Sequence, residues 1–214
     1  MDVVILGGHG KIALRLERLL AERGDRARGL IRNPDHAPDL EETGAEAVVC
    51  DVEATDDISE YVEGADAVVF AAGAGPGSGP ERKRTVDFGA AVKLIDACKR
   101  AGVDRYLMVS AMGVERPDGW SEQMRPYYEA KRDADEALAA AGLEHTIVRP
   151  GSLTDEEGGG LIQVGTPLER GGQVERDDVA ATLLACLDEP GTARLAFDVL
   201  RGTTPVEEAV RSLI

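Results

Sequence analysis

Long apolar runs are missing from this chain. No stretch reaches the roughly 18 apolar residues that a membrane-spanning helix requires. A strand pattern begins at residue 2 and nothing there resembles a secretion signal, so none is expected. The three cysteines, Cys50, Cys98 and Cys186, are scattered and odd in number, which argues against a disulfide framework and for small core residues in a reducing cytoplasm. His9, His36 and His145 have no ligand spacing, so no structural metal is expected. Lysine is scarce, five against nineteen arginines, and the net charge is −16. A negative field spread over the whole chain repels nucleic acid and anionic membranes, so neither is expected as a partner.

What is present is a regular alternation of apolar strands and amphipathic helices. Strands are expected at 2–7, 26–32, 46–50, 67–71, 106–110 and 146–149. Helices are expected at 11–23, 35–43, 55–62, 83–101, 126–141 and 177–188. A strand at 194–199 and a terminal helix from 205 follow, with a strand or hairpin at 161–175. Short links between such elements imply an α/β, doubly wound parallel sheet with helices on both faces, in strand order 3-2-1-4-5-6. Its ligand site then lies at the carboxyl ends of the strands, where the order reverses.

The segment Gly7-Gly8-His9-Gly10-Lys11-Ile12-Ala13 sits at that place. It follows the apolar run Val3-Val4-Ile5-Leu6 and opens a helix. Glycines let the backbone turn sharply and approach a ligand, and the free N–H groups of the helix favour an anion. This is how a dinucleotide pyrophosphate is held, with Gly7, Gly10 and Ala13 as anchors. The alternative is a glycine turn that binds nothing. The second strand ends at Arg32 and Asn33, where an NAD site would carry an acid. An arginine there suits a 2′-phosphate and favours NADP, with NAD still open; a solvated surface arginine is the plain alternative. The low-complexity loop 73–80 after the fourth strand reads as either a lid over the site or a flexible connection.

Tyr127 and Lys131 are four residues apart and share one helix face. A lysine near a phenol is expected to lower its pKa. The tyrosine then exchanges a proton with a carbonyl or alcohol while hydride moves to or from a nicotinamide. A surface Tyr–Lys pair is the alternative. Trp120 and Met124 precede this helix, as a cover for the site or as contacts of their own loop.

With these motifs the chain resembles the short-chain dehydrogenase/reductases, and within them the compact, atypical NAD(P)H-binding or NmrA-like members often labelled sugar epimerases. The residues that carry the resemblance are Gly7–Ala13, Asp51-Val52, Ala71-Ala72-Gly73, Val86–Gly89, Leu94–Ala97, Val109–Gly113, Tyr127–Lys131 and Val148-Arg149-Pro150-Gly151. The resemblance implies a single Rossmann domain over 1–214, with a seventh strand open and a small substrate-side lobe from 151–176 and 189–214. It implies that Asp51 contacts the adenine, although a turn or cap role is open. It implies that Ala71, Ala72 and Gly73 pass the ribose, that Lys131 binds ribose hydroxyls, and that Pro150 and Gly151 flank the nicotinamide. A dimer face on the helices at 83–101 and 126–141 is also known among relatives, so a homodimer is open.

Two departures bear on function. The family places a serine or threonine just past strand five, and Ser110 is the candidate, but Ala111 and Met112 follow it. The segment after strand six is too short to enclose a nucleotide sugar. A small carbonyl, quinone or flavin-like substrate fits better. The expected function is an NAD(P)-dependent oxidoreductase. The alternatives are a dinucleotide-binding redox sensor acting on a protein partner, a flavin- or biliverdin-type reductase without a tyrosine acid, or an epimerase/dehydratase.

The acidity admits two origins: adaptation to a high-salt cytoplasm, where salt screens self-repulsion, or an ordinary acidic cytosolic protein. On the halophilic reading, the thermal midpoint rises steeply with added KCl. Full stability in low-salt buffer excludes that reading.

Overall fold

Val3 and Ile5 enter one apolar layer, while Val4 and Leu6 enter the other. A strand sends successive side chains to opposite faces, so a strand that is apolar at every position must be covered on both sides. The computed structural model describes every residue except Pro76 and Arg170. Its strands and helices, in chain order, are β1 (Asp2–Leu6), α1 (Lys11–Glu22), β2 (Arg26–Ile31), α2 (Ala37–Glu41), β3 (Glu46–Val49), β4 (Ala67–Phe70), α3 (Pro80–Lys83), α4 (Ala90–Ala101), β5 (Arg105–Val109), α5 (Arg125–Ala139), β6 (Glu144–Pro150), β7 (Ser152–Thr154), β8 (Leu161–Gly165), β9 (Gln173–Glu175), α6 (Arg176–Asp188), β10 (Leu195–Arg201), β11 (Thr204–Pro205) and α7 (Val206–Arg211).

The main sheet runs β11-β8-β10-β6-β5-β4-β1-β2-β3. From β3 to β6 it has the expected order 3-2-1-4-5-6, all parallel. β10 adds a seventh parallel strand beside β6. Leu16 and Leu20 of α1 and Val179 and Leu183 of α6 fill one layer. Leu94 of α4 and Leu138 of α5 fill the other, with Tyr106 and Met108 of β5. Each fully buried leucine contributes about 1.5–3 kcal/mol.

Two helix expectations are corrected, and one alternative is decided. Over 161–175 the strand alternative holds, as β8 and β9, and no hairpin forms among the described residues. β8 pairs antiparallel with β10 and β11, and β9 pairs parallel with β7. Ile162 and Val174 are both fully buried, and each strand joins a different sheet rather than its sequence neighbour. Arg170, within that span, lies outside the described residues. The helix expected at 55–62 is one 3-10 turn, Ser59–Tyr61. The Asp57 carboxylate accepts the Ser59 N–H at 2.9 Å and competes with helical backbone bonding. The helix expected at 83–101 begins at Pro80 and passes through a π-helical segment, Arg84–Gly89, before α4. Of the expected lobe, β10 belongs to the main sheet, and β7 and β9 form a separate two-stranded one.

Glu17 of α1 is an exception inside the first layer. It is fully buried, and neither carboxyl oxygen has a hydrogen-bond partner among the described residues. It fits because Gly29 faces it: a Cβ built on Gly29 would lie 2.5 Å from Glu17 Oε1. Burial raises its pKa from 4.5 to about 8, with slight relief from the nearby Thr43 hydroxyl, which itself donates to the Leu40 carbonyl at 2.7 Å. The folded state therefore binds this proton more tightly than the unfolded chain. The associated stability is full below pH 4.5 and is lost progressively as pH rises to about 8. Glu17→Gln removes the titration. Its stability relative to the parent should climb across that window by on the order of 4 kcal/mol and then level off, as read by urea unfolding at several pH values. A difference independent of pH would refute the buried neutral carboxyl.

Candidate functional site

β1 delivers the chain to Gly7, whose φ of 91° is left-handed. A Cβ there would stand 2.7 Å from the Ala72 Cα after β4, so the two strand ends cross at a distance only glycine permits. Gly8 packs against Gly29 of β2, and its N–H donates to the Leu30 carbonyl at 3.1 Å. Gly10 is the extended N-cap of α1, and no side chain caps this end. Among the described residues, the N–H groups of Lys11, Ile12 and Ala13 meet no acceptor. With no acid in the first turn, the helix end is a ready anion site.

A cavity of about 280 Å³ opens from this turn along the carboxyl ends of β1, β2, β3 and β4. Of the residues singled out from sequence, Gly7, His9, Gly10, Arg32, Asn33, Asp51, Val52, Ala71, Ala72 and Gly73 line it. His9 stacks on His36 with ring centroids 3.7 Å apart, and its Nε2 lies 2.6 Å from Asp39. Asn33 accepts the Asp35 N–H at 3.1 Å. Asp51 Oδ1 accepts the N–H groups of Glu53 at 3.0 Å and Ala54 at 3.4 Å, so it forms a turn as well as facing the cavity. Arg32 pairs with Glu53 at 3.2 Å.

The other candidates stand elsewhere. Gly8 and Ile12 lie beneath the turn, and Lys11 points away to Asp155 at 2.5 Å. Pro150 ends β6 and Gly151 follows it, and the Met112 N–H donates to the Pro150 carbonyl at 3.0 Å. Trp120 is buried and donates to the Gly113 carbonyl of its own loop at 2.8 Å, while Met124 is exposed. Of the loop 73–80, Pro76 lies outside the described residues. The Ala74 N–H donates to Asp87 at 3.3 Å.

A second group gathers where β4 and β5 end. Tyr127, Lys131 and Asp135 lie at successive four-residue steps on one face of α5. Lys131 is buried, with its ammonium 3.3 Å from Asp87 Oδ1, 3.1 Å from the Val109 carbonyl and 3.5 Å from the Ala72 carbonyl. The expected lowering of the Tyr127 pKa is reversed: burial raises it, and the charges of Asp87 and Asp135 add to the rise. Ser110 is buried, and its hydroxyl makes no hydrogen bond among the described residues. It lies near enough to Asp135 to ease that carboxyl's burial, alongside Arg149, whose Nε donates to Asp135 at 2.9 Å.

Sequence reasoning missed Asp87, Glu53 and Arg82. Asp87 lay inside the quoted motif Val86–Gly89, yet nothing in the spacing shows that a π-helical turn aims it at Lys131. Among the described residues no cluster of three or more His, Cys, Asp or Glu is arranged for a metal. No helix among them is long and apolar enough to cross a membrane.

The fold and the glycine turn define a dinucleotide-binding α/β protein. A family model described as NAD(P)H-binding matches residues 7–190, and the chain belongs to that family. It is 40% identical to an uncharacterized sugar epimerase of Bacillus subtilis, covering 100% of both chains. It is 35% identical to a UPF0659 protein of Saccharomyces cerevisiae, covering 100% of this chain and 99% of that one. Among solved structures, it superposes with a TM-score of 0.95 on a "putative NAD-dependent epimerase/dehydratase" from Bacillus halodurans, at 36% identity and 99% coverage of both. An oxidoreductase from Lactococcus lactis matches with a TM-score of 0.89 and 28% identity, over 100% of this chain and 96% of that one.

Proposed function

We propose that the chain is an NADP-preferring oxidoreductase that reduces a small carbonyl, quinone or flavin-like substrate, with Tyr127 as proton donor and Lys131 assisting. The observation that carries this reading is the uncapped end of α1 opening into the cavity between Gly7 and Arg32. The free N–H groups of the first turn fit a pyrophosphate, and Arg32 at the end of β2 fits a 2′-phosphate.

When bound, the reduced nicotinamide supplies a hydride. Tyr127, held protonated by burial and by Asp87, is the residue that would give a phenolic proton to the substrate oxygen while the carbon beside it takes up the hydride. A carbonyl so becomes an alcohol, and solvent reprotonates the phenol. Lys131 holds the Ala72 and Val109 carbonyls and so fixes the backbone that the ribose would pass. A homodimer through α4 and α5 belongs to the same proposal.

One observation favours a second reading, a dinucleotide-binding redox sensor with a protein partner. Ser110 is buried and Met112 stands two residues later, so neither of these positions offers an exposed hydroxyl to a substrate oxygen.

Two measurements test these readings. In titrations at low and high salt, NADPH should bind more tightly than NADH, and Arg32→Ala should abolish the preference. Binding of neither cofactor would reduce the glycine turn to architecture. NADPH oxidation is then followed with menadione, FMN and a small aldehyde. Tyr127→Phe should lower turnover by roughly 10²–10⁴-fold while cofactor binding persists. Turnover that survives the substitution would point to hydride transfer without a tyrosine acid. Binding without turnover of any acceptor would favour the sensor.

A further inference from the structure

Glu53 is a carboxylate in the cleft wall that the reading above does not use. It follows Asp51-Val52 after β3, and Asp51 fixes its backbone by accepting its N–H at 3.0 Å. Its side chain meets two arginines from different elements. Arg32 Nη1, just past β2, lies 3.2 Å from Oε2, and Arg82 Nη2, on α3, lies 3.3 Å from the same oxygen. The Thr85 hydroxyl donates to the other oxygen, Oε1, at 2.8 Å. Arg32, Glu53 and Arg82 all line the cavity that begins at the glycine turn. The cluster is therefore an anion held between two guanidinium groups, beside the strand end where a dinucleotide's adenosine ribose would lie.

We propose that Arg32 and Arg82 form a two-guanidinium seat for the 2′-phosphate of NADP, and that Glu53 fills this seat as an internal competitor the phosphate has to displace. Glu53 and Arg82 are then specificity-determining residues. The proposal rests on the dinucleotide reading of the cleft. The exposures of the side chains, 55% for Arg32, 27% for Glu53 and 43% for Arg82, place these pairs in the regime of weak, solvent-screened contacts. A phosphate monoester carries more charge than a carboxylate and offers three oxygens to two planar forks, so it displaces Glu53. The displaced carboxylate stays close by and repels the phosphate. Against NADH no displacement is needed, and Glu53 is placed to accept the ribose 2′-hydroxyl. The two effects narrow the preference for NADP in the parent protein.

The test titrates NADPH, NADH, 2′,5′-ADP and 5′-AMP into the parent protein, Glu53→Gln and Arg82→Gln, with circular dichroism to verify folding. Removing the competing charge should raise the NADPH-to-NADH affinity ratio about tenfold, and the 2′,5′-ADP-to-5′-AMP ratio with it. Arg82→Gln should lower both ratios by about tenfold. Ratios that fall or stay unchanged in Glu53→Gln, or stay unchanged in Arg82→Gln, overturn the seat while leaving the cleft a dinucleotide site. A parent protein that binds none of the ligands overturns the dinucleotide reading itself.

Discussion

The buried ammonium of Lys131 constrains the centre of this molecule. A charge taken out of water has to be paired and hydrogen-bonded, and removing one partner of such a pair costs about 3–5 kcal/mol. Lys131 meets that requirement with Asp87 and with the carbonyls of Ala72 and Val109. These come from the π-helical segment before α4, from the loop after β4 and from the end of β5. One side chain of α5 thus ties together the places where two central strands stop. The π-helical turn fits this arrangement, because its altered winding presents Asp87 to the interior at 1% exposure. Asp87 extends the tie by accepting the Ala74 N–H.

The glycine turn imposes the second constraint. Gly7 crosses Ala72 and Gly8 crosses Gly29, so the backbones of β1, β2 and β4 approach one another where side chains would normally separate them. The approach leaves no side chain over the start of α1. Its N–H groups remain aimed at the cavity without spending conformational entropy when a ligand arrives. Lys11, within the turn, is paired with Asp155 on the surface. What this turn presents to the cavity is therefore backbone dipoles more than a side-chain charge.

Much of this was legible in the sequence because it rests on local chemistry. Val3 to Leu6 followed by Gly7 and Gly8 marks a buried strand entering a tight turn, and the regular strand–helix alternation fixes the parallel order from β3 to β6. Legibility failed where a partner lies far along the chain. Val174 pairs its strand with β7 and Ile162 pairs its strand with β10, and neither choice is written in the intervening residues. The pairs Glu53–Arg82 and Asp87–Lys131 join residues separated by 29 and 44 positions. They exist only because β3 ends, and the helical segments after β4 and β5 begin, on the same side of the sheet. The Asp57–Ser59 turn failed for the opposite reason: a short-range side-chain bond outcompeted a helical pattern too brief to nucleate.

Lys131 and Tyr127 share a helix face, and from spacing alone the cation should favour the phenolate. Burial changes the balance. The ammonium is tolerated at this depth because Asp87 neutralises it, and the same carboxylate then acts on Tyr127 with the opposite sign. Asp135, one step further along the face, acts in the same direction. The raised Tyr127 pKa thus comes first from its own burial, and the carboxylate that neutralises the lysine adds to it. A phenol in that state holds its proton at neutral pH and is a weaker acid than a free tyrosine, so giving the proton up requires negative charge to build on the acceptor oxygen. The ion pair that ties the ends of β4 and β5 together thereby also sets the electrostatic surroundings of Tyr127.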